Sequence, residues 1–159
     1  MLEEYNSNTE AIEILPGLFL GTDVTCISQE FFQRHNIIRI VNCTPDIPIN
    51  SNIESFIIPV NDQNSIIDNK IMADNILPAI HFIFRNYLPS LSEKCDKNGD
   101  ILLHCHRGQS RSATIAVGIF RLYYTNSIEE AIGMLKKIKP NVFPNGIFFK
   151  DALVKVFGF

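Results

Sequence analysis

Along this chain the apolar positions come in two patterns, short unbroken runs and stripes spaced three or four residues apart. Ile12 to Leu15 and Leu18 to Leu20 are brief apolar pieces split by Pro16-Gly17, which predicts two short strands about a turn. Ser28 to His35 predicts a short helix. Ile37 to Val41 is dense in β-branched residues and bounded by Asn36 and by Thr44-Pro45-Asp46, the pattern of a strand buried on both faces, and Phe56 to Val60 repeats it. Ile101-Leu102-Leu103 predicts a further buried strand that runs straight into His104-Cys105.

The spaced stripes predict helices. Met72, Ile76, Ile80, Ile83, Tyr87 and Leu91 recur as one face of a helix lying on a sheet. Pro78 sits inside that stripe and predicts a kink or the start of the main segment, because proline lacks the amide a helix interior uses. Arg111 to Tyr124 is apolar on nearly every side, as in a helix at the centre of a domain. Ser127 with Glu130 forms a capping box that opens a helix lined by Ile128, Ala131, Ile132, Leu135 and Ile138, and Pro140 ends it. Asn145 is placed to cap a last helix that carries Phe149, Ala152, Leu153 and Val156 inward. Strands early and helices late give an α/β class, one three-layer domain with a mostly parallel twisted sheet flanked by helices. The first ten residues are polar and read as a mobile lead-in, which leaves 11–159 as the domain.

Composition narrows what such a domain does. A chain of 159 residues, 46% hydrophobic and 19% charged, is large enough for one well-filled core and needs no disulfide staples. A net charge of −3 leaves no broad basic surface, which argues against nucleic acid as a partner. The longest apolar run, Ala113 to Phe120, is far shorter than the roughly 20 residues that cross a bilayer. The start, Met1-Leu2-Glu3-Glu4, lacks the marks of a signal peptide or a myristoylation site, and Val156 to Phe159 holds no prenylatable Cys. A cytoplasmic or nuclear monomer is the expectation. Cys26, Cys43, Cys95 and Cys105 are scattered, with no CxxC pair and no zinc-site spacing, so the thiols read as free and neither a metal nor a cofactor is implied.

The chemistry concentrates in His104-Cys105-His106-Arg107-Gly108-Gln109-Ser110-Arg111-Ser112, which lies between a buried strand and a buried helix. A loop in that position turns backbone amides inward, Gly108 permits the dihedrals this needs, and the following helix presents its positive end. The residues His106 to Arg111 thus form a phosphate-binding cradle. Converging amides, the helix N-terminus and the Arg111 guanidinium together favour the thiolate of Cys105, the nucleophile for attack on a phosphate ester. Ser112 is placed to donate to the departing thiolate and His104 to hold the loop from below. The leaving oxygen needs a proton, and Asp62, just past the strand ending at Val60, is the chosen acid, with Asp68 in reserve.

The loop resembles the active-site loop of the dual-specificity branch of the protein tyrosine phosphatases, His-Cys-x-x-Gly-x-Ser-Arg-Ser, at all of its specified positions. The resemblance extends along the chain. Ile14 to Gly21 is similar to that family's opening strands, Ile40 to Thr44 to a buried strand, Ile58 to Asp62 to the approach to its general acid, and Pro144-Asn145 with Phe148 to the start of its last helix. It implies a small catalytic core that hydrolyses phosphotyrosine, phosphoserine and phosphothreonine through a phosphocysteine, with phosphorylated proteins, kinases among them, as partners. It also implies sensitivity of the Cys to oxidation. The stretch between Asp62 and Cys105 is longer than the resemblance implies, and the surplus reads as an extension of the helix near Asn86 to Lys97. His106 and Arg107 stand where small or neutral residues are usual, and Asp151 where a Gln is common. The basic pair keeps open the same chemistry on phosphoinositides or RNA 5′ phosphates. A phosphoprotein-binding module without turnover is the reading from another class.

Overall fold

The computed structural model describes residues 11–85 and 92–158. The predicted lead-in, Tyr87 and Leu91 lie outside them. Strands β1 (Ile12–Leu15), β2 (Leu18–Gly21), β3 (Ile37–Asn42), β4 (Glu54–Ile57) and β5 (Asp100–His104) form one sheet in the order β1-β2-β5-β3-β4. Only the β1–β2 pair is antiparallel. Its turn is possible because Gly17 adopts φ 77, in the left-handed region that residues with a Cβ avoid. The parallel strands β2, β5 and β3 all run toward the same sheet edge, and β5 at the centre of the order delivers His104-Cys105 there.

The helices are α1 (Gln29–Arg34), α2 (Ile66–Phe84), α3 (Arg111–Tyr123), α4 (Ile128–Ile138) and α5 (Lys150–Phe157). Alternation along the strands divides the core. Leu18, Leu20, Val41, Ile101 and Leu103 point into one large cluster shared with α2 to α5, while Phe19, Ile40 and Leu102 point to the opposite face. That second face is covered by Phe31 and Phe32 of α1 and by Cys26 of a 3-10 turn. The layers are three, and the thick one carries α3, whose residues from Ala113 to Phe120 are all buried. No helix among the described residues is long and apolar enough to cross a membrane.

Four elements differ from the sequence expectation. β4 begins earlier than Phe56 and is an edge strand, with Ile57 44% exposed. An apolar run does not say how many neighbours a strand has. The buried Ile58 and Val60 lie past its end, where the chain turns inward toward the loop after β5. Helix α2 opens at Ile66, where Ser65 caps it by accepting the Asp68 N–H at 3.0 Å, and it passes through Pro78. Pro78 and Asp74, whose carbonyl loses its helical donor, are both exposed, so water can serve that carbonyl. The helix ends at Phe84 with Arg85 at φ 55; of the surplus stretch expected to extend it, 86–91 lie outside the described residues and 92–99 form bends and turns. That segment is tied to the sheet: Cys95 N–H donates to the Pro16 carbonyl at 3.0 Å, and Asp96 pairs with the buried Arg39 at 2.9 Å. Finally, Asn145 does not cap α5. The Asn69 side chain of α2 accepts the Ala152 N–H at 3.1 Å and stitches the two helices together.

Candidate active site

Between β5 and α3 the residues Cys105 to Ser110 form a tight loop whose carbonyls face away from its centre. His106 O accepts the Asp23 N–H at 2.9 Å, Gln109 O accepts the Phe143 N–H at 2.8 Å, and Gly108 O accepts from the Lys139 ammonium. Ser110 O accepts both the amide and the hydroxyl of Thr114, at 2.9 and 2.8 Å. All peptide bonds among the described residues are trans, so each outward carbonyl sets the next residue's N–H inward. The amides of Arg107, Gln109, Ser110 and Arg111 thereby point away from those partners, to the inner side of the loop beside the N-terminus of α3, the arrangement of an anion cradle. Gly108 is required twice over. Its φ is 66, and a Cβ there would lie 2.7 Å from the Gly21 carbonyl oxygen and 2.8 Å from Lys139 Nζ.

Cys105 lies at the floor, 3% exposed. Its Sγ accepts the Gly108 N–H at 3.2 Å and sits 3.1 Å from Ser112 Oγ, which is fully buried. Arg111 is held in place by one arm, Nη1 donating to the Val60 carbonyl at 3.0 Å. Its Nε and the hydroxyl of Ser110 are buried and have no partner among the described residues. Buried polar groups need partners, and both residues line the cavity above Cys105, so a bound oxyanion is the partner that the site can offer them. His104 is 2% exposed, its Nδ1 3.4 Å from the Cys105 carbonyl, and burial pushes its imidazole down to about 4. His104 is therefore neutral at ordinary pH.

Above the floor opens a cavity of about 280 Å³ lined by Asp62, Cys105, Arg107, Gln109, Arg111 and Phe148, with His106, Ser110 and Asn145 also on its wall. The two carboxylates weighed as acid take separate positions. Asp62 is exposed and lines the cavity. Asp68 is buried and does not line it. Its oxygens accept from Asn61 N–H at 3.0 Å, Gln63 Nε2 at 2.7 Å and Ser65 Oγ at 2.6 Å. Burial pushes the Asp68 carboxyl up, yet the bonds from Ser65, Gln63 and Asn61 and the charge of Arg111 outweigh it and hold it below the ordinary value. Asp68 is a brace for the Asp62 loop. Asp151, on the first turn of α5, is exposed and is not part of the cavity wall.

The basic pair also separates. His106 Nδ1 lies 3.2 Å from Asp23 and its Nε2 3.0 Å from both oxygens of Asp46, and the bond to Asp46 raises its imidazole above the usual value. Its charge is matched by the protein. Arg107 is exposed at the cavity wall and has no ion-pair partner among the described residues. Sequence reasoning missed the groups that hold the loop from outside: Asp23, the Val60 carbonyl, Lys139 and Phe143.

A family model described as "Dual specificity phosphatase, catalytic domain" matches residues 18–155. The chain belongs to the dual specificity phosphatase catalytic domain family. Dual specificity protein phosphatase Mpk3 of Drosophila melanogaster is 31% identical over 153 residues, which cover 93% of this chain and 34% of that protein. Human dual specificity protein phosphatase 16 is 29% identical over 150 residues, covering 92% of this chain and 21% of the relative. The chain thus spans about a third or less of the length of these relatives. The crystal structure of human DUSP28 shares the fold with a TM-score of 0.69 at 21% identity, over 92% of each chain. In this dual specificity phosphatase domain the matched span runs from the first parallel strand to the last helix.

Proposed function

We propose that this domain hydrolyses phosphotyrosine, phosphoserine and phosphothreonine in proteins through a phosphocysteine. The observation that carries the reading is the floor of the cavity, where the Cys105 sulfur takes the Gly108 amide and faces the Ser112 hydroxyl beneath a cradle of inward amides. In the first step the Cys105 thiolate attacks phosphorus, the S–P bond forms, and the ester P–O bond breaks as Asp62 protonates the leaving oxygen. Arg111 and the loop amides bind the equatorial oxygens as charge spreads over them. In the second step Asp62, now a carboxylate, takes a proton from water, water attacks phosphorus, and Cys105 leaves as thiolate with a hydrogen bond from Ser112.

The test is hydrolysis of a simple aryl phosphate in the presence of a chelator, with vanadate as inhibitor. Activity that survives chelation and falls with vanadate is expected, and a Cys105→Ser protein that still turns over the ester would sink the mechanism. The phosphoinositide and RNA alternatives lose half of their support, because His106 is matched by Asp23 and Asp46 and only Arg107 remains to meet extra negative charge. Phosphopeptides should be turned over faster than phosphoinositides at equal concentration. A binding module without turnover has no observation in its favour while Cys105, Arg111 and Asp62 share one cavity.

A further inference from the structure

A buried lysine lies behind the loop. Lys139 ends α4 as its C-terminal cap, is 7% exposed, and directs its ammonium at the Gly108 carbonyl. A lysine at a helix end normally reaches solvent along its own carbonyls, which is the cheapest arrangement for a hydrated charge. Here the charge is desolvated and no carboxylate among the described residues lies in ion-pair reach of it. Burial pushes the Lys139 amine down, and the charge of Cys105 opposes this. A buried cation without its anion is destabilising, which makes the placement informative.

The peptide it touches is specific. The Gly108 carbonyl bonded to Lys139 belongs to the same peptide as the Gln109 N–H, and that N–H points the other way, toward the cavity that Gln109 lines. The next carbonyl, of Gln109, is held by Phe143, which the chain reaches four residues after Lys139. The connection after α4 therefore grips two consecutive peptides of the loop. A cation on the outer end of a peptide dipole strengthens donation from the inner end.

We propose that Lys139 is a positioning residue of the phosphatase site. It orients the Gly108–Gln109 peptide, adds positive charge behind the cradle, and so favours both the Cys105 thiolate and the bound oxyanion. The proposal rests on the phosphatase reading for the use that is made of the Cys105 sulfur. Other groups that set the charge around Cys105 are Arg111 on α3, His104 on β5, His106 and Arg107 on the loop, Cys43 after β3 and Asp62. None of them touches the Gly108 carbonyl from outside.

The experiment is alkylation of Cys105 by iodoacetamide across a pH series, followed on the Cys105 peptide so that the other three thiols do not interfere, in Lys139→Gln, Lys139→Arg and the unaltered chain. Gln keeps a donor for the Gly108 carbonyl and removes the charge. The alkylation profile of K139Q should move to higher pH by about one unit, roughly tenfold slower reaction on the acid side of the profile, and K139R should restore most of it. Thermal melts show that each variant is folded before its profile is read, and if K139Q does not fold, K139R and a Lys139→Met protein are read in its place. A folded charge-removed variant with an unshifted profile overturns the proposal, and so does equal slowing at every pH, the mark of altered access alone. Alkylation needs no turnover. A Lys139-dependent profile in a chain that hydrolyses no phosphate ester would sink only the phosphatase reading, while an active phosphatase with a Lys139-independent profile would sink only this one.

Discussion

The carboxylate of Asp68 accepts the backbone N–H of Asn61 at 3.0 Å, so the residue beside Asp62 is pinned by a buried charge on the first turn of α2. The same carboxylate takes the side chains of Gln63 and Ser65, which makes the 61–65 loop a closed hydrogen-bonded unit. Asp68→Ala should therefore cost stability, about 2 to 4 kcal/mol in chemical denaturation, since several donors to one buried charge are lost together. The folded carboxyl lies below its ordinary value of 3.8, so this stabilisation is present above that pH and is lost as pH falls through the folded value. An Asp68→Ala protein as stable as the unaltered chain at pH 7 and at pH 3 would show that the loop is held by something else.

Asp62 carries the opposite expectation. It is exposed, so Asp62→Ala should leave stability nearly unchanged. On the proposed mechanism its effect belongs to catalysis and depends on the leaving group. Esters of weakly acidic alcohols should slow by about a hundredfold or more, while a good aryl leaving group, which needs no proton, should slow far less. Steady-state rates on a graded series of aryl and alkyl phosphates measure the difference. Equal losses across the series would remove Asp62 from the role of acid, and the bonding of Asp68 leaves that residue no better placed for it.

Gly108 offers a test of the cradle separate from its nucleophile. Gly108→Ala must place a Cβ against the Gly21 carbonyl and the Lys139 ammonium at positive φ, so the loop has to rearrange. Phosphate-ester hydrolysis should drop by at least about a hundredfold, because misdirected amides no longer meet the transition-state charge. The domain should remain folded, since the change lies at the sheet edge and the core around α3 is untouched. Retention of half the original rate would mean that the inward amides are not what the reaction uses.

Much of this site was legible in the sequence because its parts are local. An apolar run ending at His104, a loop with Gly108 and Ser110, and a largely apolar helix from Arg111 encode a strand, a turn and a buried helix in consecutive residues, and no distant partner is needed to read them. What escaped reading is held by contacts across the chain. Lys139 meets Gly108 from the end of another helix, Asn69 caps a helix that Asn145 had been expected to cap, and His106 is matched by Asp23 and Asp46 from two separate loops. Residue spacing carries no record of such pairs. The edge position of β4 and the end of α2 at Phe84 escaped for a related reason, since both depend on which neighbour is present.

His104 gives the domain a pH signature that can be read without substrate. Burial pushes its imidazole down to about 4 from 6.5, so between those values the unfolded chain binds a proton that the folded chain refuses. Stability from this group is complete above pH 6.5 and is lost as pH falls toward 4, by about 3 kcal/mol in all. His106 works in the other direction. Its pairing with Asp46 raises it, so its contribution is present below 6.5 and lost as pH rises through the folded value, and at a solvent-screened surface it is small. Asp68 acts in a lower window, so the slope between pH 4 and 6.5 is chiefly that of His104. Replacing His104 by Asn should lower stability at neutral pH through lost packing and flatten the curve by about one proton across that window. Urea denaturation at half-unit steps of pH measures both effects, and parallel curves for the two proteins would mean that His104 is not held neutral beneath the loop.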